Sequence, residues 1–335
     1  MGACWKLSAP QLSADPLGHI YGHIIQNNIT MKIFSFVILI LLSNLLYGQQ
    51  IKDFPIEYFG QTPPSDSVVI FAPGIVSLTD SFTNGITFSP KGNECCYARY
   101  DGKYWTWGTI FYAKFENNKW NDFRPAPFTD STQYFDILPI ISPDGQKFLF
   151  SSARPSRPYN LVDLWMCKQT GGGWGKPIRL DSAINNPNDD ESFSSIASNG
   201  NIYFNKDLTN SIWCSSCTNG IYSKAVKVSE PINSKYGAGS AFISPDESYI
   251  IFASIRPEGY GERDLYISFK KANGAWTEPQ NLGPKINGPT DDVCPRISPD
   301  KKYLFFTKGV KREYSTIYWV STSFIAKLKQ KCDLK

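Results

Sequence analysis

A short motif that returns along the chain is the feature of this sequence that most limits how it can fold. In each copy an apolar stretch ends in serine, and Pro-Asp-Gly or a variant of it follows. The motif serines are Ser89, Ser142, Ser198, Ser244 and Ser298. Their spacing of roughly 50 residues is the length of one repeated supersecondary unit, which needs its neighbours to bury its apolar face.

The residues around each motif predict antiparallel strands joined by tight turns. Pro-Asp favours a type I turn, and glycine accepts the positive φ that closes a hairpin. Further short apolar stretches follow, and the last of them begins at a tryptophan in three copies (Trp120, Trp174 and Trp276). Four strands per repeat without a long helical pattern predict an all-β protein, a β-propeller of four-stranded blades.

The repeat count predicts five blades, and six is the alternative if residues 54–84 contribute more than one strand. The last repeat lacks an outer strand, so we expect residues 67–71 to supply it and close the ring. The propeller is then predicted to span residues 67–323. A lead-in at 49–66 precedes it, and a short C-terminal helix and tail at 324–335 follow it.

The repeats also resemble a known family. Ser-Pro-Asp-Gly hairpins, together with Ser/Ala-x-Arg segments that run on to Asp-Leu-Tyr (Asp264 to Tyr266), are similar to the WD-repeat-like propeller repeat of TolB type. The resemblance covers about residues 65–322, and such repeats are common in exported bacterial proteins. It implies the propeller fold, whereas activity stays open because propellers serve in binding, scaffolding and catalysis.

The N-terminal region predicts export. Met31 and Lys32 precede an apolar run from Ile33 to Leu42, and a small residue, Gly48, ends the segment. These are the parts of a secretory signal peptide, and the run is shorter than the about 20 residues of a membrane span. We therefore expect residues 1–30 to be a non-native extension and residues 31–48 to be a cleaved signal peptide. The protein is then periplasmic or secreted, and a retained anchor is the alternative.

Composition excludes several kinds of chemistry. The two histidines, His19 and His23, both precede the predicted mature chain, which excludes Ser-His-Asp and Cys-His catalysis and His-ligated zinc. With 34 basic and 30 acidic residues the charge is nearly balanced, so nucleic acid is not an expected partner. No nucleophile or cofactor motif is present, and the prediction is a protein without catalytic activity, although catalysis stays open.

Two sets of polar loops define the candidate binding residues. In a four-stranded antiparallel blade, the loop before the inner strand and the loop after the second strand lie on the same face. We therefore expect acids and arginines around one entrance of the central funnel: Arg99, Asp136, Arg154, Asp190, Glu191, Arg256 and Asp292. The functional interpretation is a polar ligand site. The alternative is that each arginine pairs with an aspartate and only holds its loop.

No cofactor is expected, and calcium is the alternative. The pairs Asp189–Asp190 and Asp291–Asp292 supply the clustered oxygens that hard cations prefer. However, adjacent residues of an extended chain point to opposite sides, so one acid of each pair would face away from such an ion.

An aromatic loop in the first repeat has no counterpart in the others. Tyr100, Tyr104, Trp105 and Trp107 crowd into it. Aromatic side chains exposed on a loop are candidate contacts for a protein or a glycan, and the alternative is that they cover the blade edge.

Cysteine usage predicts one local disulfide at most. Seven cysteines follow the predicted signal peptide, and this odd, irregular set does not indicate a disulfide framework. Cys214 and Cys217 form the only close Cys-x-x-Cys pair, and we expect a disulfide between them. A zinc site would need two further ligands at matching spacing.

These observations predict an exported propeller that acts as a non-catalytic binding or protein-interaction platform in the cell envelope. Its partner would be an envelope protein or a glycan, and no membrane span would remain after signal cleavage. The alternative is a carbohydrate-binding or glycoside-hydrolase-like propeller with an acid-lined funnel, because such hydrolases need only carboxylates. Asp136, Asp190, Glu191 and Asp292 are the acids that could serve it.

Overall fold

The computed structural model describes residues 58–79, 81–101, 107–154, 161–310 and 314–333 of the chain. The chain divides into two compact units, Met1–Lys52 and Asp53–Lys335, and all described residues belong to the second. The predicted extension and signal peptide lie outside the described residues. No helix among the described residues has the length and apolar character to cross a membrane.

Antiparallel strands follow one another in chain order. The first strand is β1 (Val69–Ile70). The first blade contains β2 (Phe82–Phe88), β3 (Glu94–Asp101), β4 (Trp107–Glu116), β5 (Lys119–Trp120) and β6 (Arg124–Pro125). The second blade contains β7 (Asp136–Ile141), β8 (Lys147–Ser152), β9 (Asp163–Thr170), β10 (Gly173–Trp174) and β11 (Ile178–Arg179).

The remaining strands repeat this order. The third blade contains β12 (Glu191–Ile196), β13 (Ile202–Lys206), β14 (Ser211–Ser215), β15 (Cys217–Thr218), β16 (Ile221–Tyr222) and β17 (Val226–Lys227). The fourth contains β18 (Gly239–Ile243), β19 (Tyr249–Ser254), β20 (Asp264–Phe269) and β21 (Gln280–Asn281). The fifth contains β22 (Asp292–Ile297), β23 (Tyr303–Val310) and β24 (Tyr314–Ser321), and helix α1 (Ser323–Asp333) follows. The prediction of an all-β propeller is confirmed, and the total number of blades stays a prediction.

The serine and aspartate of the repeated motif form the hairpin turn by local hydrogen bonds. Ser142 Oγ donates to Asp144 Oδ1 at 2.5 Å and accepts from the backbone N–H of Lys147 at 2.9 Å. Ser244 and Ser298 make the same bond to Asp246 and Asp300. Because these bonds span only a few residues, each repeat fixes its own turn without help from the rest of the fold.

The N-terminal strand closes the ring, as the sequence predicts. Strand β1 pairs antiparallel with β24, so that Val69 lies opposite Trp319. The next residue, Phe71, donates its N–H to the carbonyl oxygen of Ile317 at 2.9 Å. Its ring packs against Trp319 and Tyr58 in a buried aromatic cluster. A chain segment from before the first blade therefore completes the fifth.

Every inner strand contains a β-bulge at the same position. The pairing with the second strand shifts after the first residues, and the residue at the shift has a positive φ. These residues are Gly85, Leu138, Phe193, Ser240 and Cys294. A bulge of this kind bends the strand and turns its first residues to a new direction. Each bulge therefore divides an inner strand into two parts that both pair with the second strand but in different register.

One guanidinium links the inner strands of three blades. Arg296 of β22 is 3% exposed. It donates to the carbonyl oxygens of Ser194 in β12 at 3.1 Å and Ala241 in β18 at 3.2 Å. The third and fifth blades are not consecutive in the chain, so this guanidinium links the inner strands of blades that do not follow each other. Burial lowers the pKa of Arg296 to about 10.

Ring closure yields the first prediction. Phe71→Ala should destabilise the protein by about 3–5 kcal/mol, because it leaves a cavity in the cluster that joins the N-terminal segment to the last blade. Ile70→Ala is the matched control, since this neighbouring side chain is 40% exposed and Phe71 is fully buried. Thermal unfolding of both variants measures the difference. Equal melting temperatures would contradict the assignment of Phe71 to the closure.

Candidate functional site

Three blades begin their inner strand with a buried acid that pairs with a cation of the same blade. Asp136, Glu191 and Asp292 open β7, β12 and β22 and are fully buried. Asp136 lies 2.6 Å from Nη2 of Arg154, Glu191 lies 3.1 Å from Nζ of Lys206, and Asp292 lies 2.8 Å from Nζ of Lys308. In two of these pairs the partners stand directly opposite each other in the strand register.

The predicted arginines do not form a ring around an open entrance. Arg154 makes two hydrogen bonds to Asp136 and one to the carbonyl oxygen of Phe128. Arg256 donates to the carbonyl oxygen of Pro231 at 2.9 Å, and Arg99 lies 3.9 Å over the ring of Phe111. The predicted acid Asp190 accepts a hydrogen bond from the backbone N–H of Val162 at 2.6 Å. Of the seven predicted residues, Asp136 and Arg154 thus pair with each other, and the other five lie in separate contacts.

Burial shifts the pKa of two of the paired acids. The pKa of Glu191 rises to about 7 because burial disfavours its charged form, although Lys206 opposes the shift. The pKa of Asp292 rises to about 6 for the same reason, and the hydrogen bond from Lys308 opposes it. These groups titrate near neutral pH, but their full burial keeps them away from a ligand.

The aromatic loop is described only in part. Tyr104 and Trp105 lie outside the described residues. Tyr100 is buried in the main core cluster, where its ring contacts Phe135. Trp107 is half-buried, and its Nε1 donates to the carbonyl oxygen of Ser131 at 2.7 Å. The two described members therefore pack against the protein.

The structure corrects the expected disulfide, because the thiols of Cys214 and Cys217 are both free. Cys214 belongs to β14 and packs at the edge of a buried cluster that contains Tyr203. Cys217 opens the next hairpin and lies beside Gly200. Residues three apart on an extended chain point to opposite sides, which separates the two sulfur atoms.

The fourth blade departs from the acid–cation pattern. In the other three blades the acid lies two residues before the positive-φ residue of the bulge, and in the fourth blade Ala238 occupies this place. Gly239 and Ala253 form the next pair of the register, where the third blade has Ser192 and Asn205. An open cavity of about 250 Å³ lies beside this position, between the third and fourth blades. We call it the fourth-blade pocket; its lining residues are Phe193, Asn205, Asp207, Asn210, Tyr236, Gly237, Ala238, Gly239, Ser240, Ala253, Ser254, Ile255 and Arg263.

The base of this pocket contains an unsatisfied polar atom. Asn205 is 6% exposed, and its Oδ1 has no hydrogen-bond partner among the described residues. A Cβ atom at Gly239 would collide with Nδ2 of the same amide. Glycine is therefore required there for the amide to keep its place beside the cavity. Several buried polar atoms of the described residues have no hydrogen-bond partner, and Oδ1 of Asn205 is the one among them that belongs to the lining of this pocket. A ligand in the pocket could supply the donor that buried acceptors usually have.

Charged groups lie at the mouth of the pocket. Asp207 is exposed and accepts a hydrogen bond from Ser192 Oγ at 3.0 Å. Its pKa is raised because the surrounding walls desolvate the carboxyl group, and because Asp190 and Asp189 are close. Arg263 also lines the mouth, but its Nε and Nη2 donate to Asp291 at 2.7 and 2.9 Å.

The sequence reasoning missed this pocket. The available signal was Ala238 at the position where the aligned repeats have an acid, but the contact of the neighbouring Gly239 with Asn205 depends on the register of another blade. Within the described residues, no three His, Cys, Asp or Glu side chains form a group that could hold a metal ion.

Comparison with known proteins gives only distant structural likeness. No protein-family model matches the chain, and no curated protein matches it. TolB from Acinetobacter baumannii is similar over 72% of this chain and 55% of its own, with 12% identity and a TM-score of 0.44. Regucalcin from Agrobacterium tumefaciens, a calcium-binding protein, is similar over 77% and 94%, with 11% identity and a TM-score of 0.45.

A peptidase is among the similar structures as well. Prolyl oligopeptidase B from Galerina marginata is similar over 70% of this chain and 32% of its own, with 13% identity and a TM-score of 0.40. The chain thus spans about half the length of the TolB chain and a third of the peptidase chain. Likeness at this level carries no functional argument, and the propeller fold rests on the strand pairings themselves.

The raised pKa of Glu191 predicts an unusual pH dependence. A buried acid with a raised pKa binds a proton more readily in the folded state, so its contribution to stability is present below pH about 4.5 and is lost as the pH rises to about 7. The loss is at most on the order of 3 kcal/mol. Glu191→Gln removes it, so over this range the wild type should become less stable relative to the variant.

Urea unfolding at pH 5, 6, 7 and 8 measures this difference. Glu278→Gln is the control, because Glu278 is exposed and should change the unfolding free energy equally at every pH. Parallel pH curves for the wild type and Glu191→Gln would contradict the assignment.

Proposed function

We propose that this protein is an exported, non-catalytic propeller that binds a small polar group in the fourth-blade pocket. The observation that carries the proposal is a cavity beside the place where the fourth blade has Ala238 in the position of the acid. Three blades have a buried ion pair at this position, whereas the fourth has small residues there, with Gly239 next to Ala238. The small residues and the unsatisfied Asn205 together give the pocket room and a directed polar contact.

The carboxylates argue for binding rather than glycoside hydrolysis. A glycoside hydrolase needs two carboxyl groups that both face the sugar. Asp136, Glu191 and Asp292 are buried in ion pairs with their own blades. Of the described residues that line the fourth-blade pocket, Asp207 alone carries a carboxylate. One carboxylate orients a ligand but does not supply both the acid and the nucleophile.

The repeats support a finer assignment to the TolB type. Their Ser-Pro-Asp turns share one hydrogen-bond pattern in three blades, which accounts for the motif by which the sequence resembles that family. Within this proposal the protein works in the cell envelope, where its bound group is either a small molecule or part of an envelope protein.

Blocking the pocket tests the proposal. Gly239→Ala should push the amide of Asn205 into the cavity and weaken binding roughly tenfold, because the acceptor moves and the space shrinks. Gly171→Ala is the matched control, since a Cβ there meets no atom within 4 Å. Saturation-transfer NMR with a panel of D-glucose, N-acetylglucosamine, glutamate, pentylamine and inorganic phosphate detects binding. The proposal fails if every probe behaves alike with wild type and Gly239→Ala.

Export has its own test. A chain that starts at Met31, expressed in a Gram-negative host, should yield a soluble periplasmic protein whose N-terminus lies near Gln49. Leu41→Arg interrupts the apolar run and should keep the protein in the cytoplasm with its leader intact. Cell fractionation and mass spectrometry of the N-terminus measure both. An uncleaved protein in the membrane fraction would instead support a retained anchor.

A further inference from the structure

We propose that the group bound in the fourth-blade pocket is a primary ammonium on a short aliphatic chain. This inference rests on the proposed function and specifies its ligand class. Three properties of the pocket lead to it: an unsatisfied acceptor at the base, negative charge at the mouth, and apolar walls between them.

The base requires a hydrogen-bond donor. Oδ1 of Asn205 is buried without a partner among the described residues. A buried acceptor whose hydrogen bond is not made lowers the stability of the folded protein. A ligand that carries N–H or O–H groups removes this cost, whereas a carboxylate or phosphate, which only accepts at neutral pH, does not. The orphan acceptor therefore selects donors, and ammonium has three.

The charge at the mouth selects a cation among the donors. Asp207 faces the cavity, and Asp189 and Asp190 lie close enough to raise its pKa. The cation of the lining, Arg263, is bound by two hydrogen bonds to Asp291, which compensates its charge. A cationic ligand relieves the repulsion among the acids, and a hydroxyl group does not.

One further cation lies near the lining and is included in this balance. Nζ of Lys235 lies 5.2 Å from the ring centroid of Tyr236. Lys235 is exposed, as Asp207 is, and Arg263 also opposes the rise in the pKa of Asp207. Arg263 is paired with Asp291, so three acids stand against the one unpaired cation. The mouth therefore keeps a net negative charge.

The walls and the volume select a short aliphatic chain. Phe193, Tyr236, Ala253 and Ile255 supply apolar surface between the base and the mouth. The volume of about 250 Å³ is below the range of about 300–1,000 Å³ for pockets that hold drug-sized ligands. It admits a chain of a few methylene groups, and an oligosaccharide does not fit.

An aliphatic ammonium has two sources, a free small amine or the lysine side chain of a protein partner. Both present the same chemistry to the pocket, and they differ only in the group to which the aliphatic chain is attached outside it. The experiment therefore uses free pentylamine in one arm and the blocked peptide acetyl-Gly-Lys-Gly-amide in the other.

The decisive measurement is calorimetric titration of residues 49–335 with matched ligands. Pentylamine should bind, while pentanol, of equal length and neutral, should bind at least tenfold more weakly, and pentanoate should not bind. Asp207→Asn should weaken pentylamine at least tenfold because it removes the charge and keeps the shape. Glu278→Gln removes an exposed carboxylate elsewhere and should leave the affinity unchanged.

The role of the base is tested separately. Asn205→Ala removes the acceptor, and circular dichroism and thermal unfolding establish whether the variant folds. If it does not fold, the Asp207→Asn result and the comparison of pentylamine with pentanol still decide the matter, because neither perturbs the buried core. A folded Asn205→Ala protein should bind pentylamine at least tenfold more weakly.

Each outcome decides between the proposals. Binding of pentylamine supports a free amine, and binding of the lysine peptide alone supports a protein partner; both support the ammonium inference. Equal affinity for pentylamine and pentanol, or no effect of Asp207→Asn, overturns it. If neither amine binds while a sugar binds in a manner that Gly239→Ala abolishes, the ammonium inference is wrong and the proposed function stands. If no probe depends on Gly239, both are wrong.

Discussion

The guanidinium of Arg296 is the contact on which the centre of the ring depends. Arg296 belongs to the inner strand of the fifth blade and donates to the carbonyl oxygens of Ser194 in the third blade and Ala241 in the fourth. One side chain therefore links three blades. Blades of a propeller otherwise contact only their neighbours. Burial lowers the pKa of this cation. Its Nη1 and Nη2 groups donate to three carbonyl oxygens, whereas Nε has no hydrogen-bond partner among the described residues. The bonds to Ser194 and Ala241 hold only while the blades keep their spacing.

Around this centre three blades contain a buried ion pair at the start of the inner strand, whereas the first and fourth blades do not. Taking an acid and its cation out of water costs free energy that their attraction only partly offsets. Asp136, Glu191 and Asp292 nonetheless occupy the same place in three blades, where each pair fixes the start of an inner strand. In the fourth blade Ala238 takes the place of the acid, and Asn205 of the third blade lines the cavity beside it. The missing ion pair thus lies next to a buried acceptor that has no hydrogen-bond partner among the described residues.

Local chemistry explains which features the sequence could predict. The turn of Ser142 and Asp144 is closed by bonds over a few residues, so the sequence motif alone predicts it. The closing strand β1 is predicted because the last repeat lacks an outer strand. The partners of the predicted arginines could not be predicted in this way. Arg256 donates to backbone carbonyl oxygens, because the inner strand of its blade has no acid at the position that Asp136 holds in the second blade. Phe193 adopts a positive φ that its residue type disfavours, since the bulge is imposed by the packing of the ring.

The hydrogen bonds of Arg296 also affect how the fourth-blade pocket would bind a ligand. Its two sides come from the third and fourth blades, and β12 and β18 are the strands whose carbonyl oxygens Arg296 holds. Both walls are therefore fixed by one buried group that the ligand does not touch. A site whose walls are already in place loses little conformational entropy on binding, so a small ligand can bind through few contacts. In this way the contact that stabilises the ring also fixes the strands on both sides of the fourth-blade pocket.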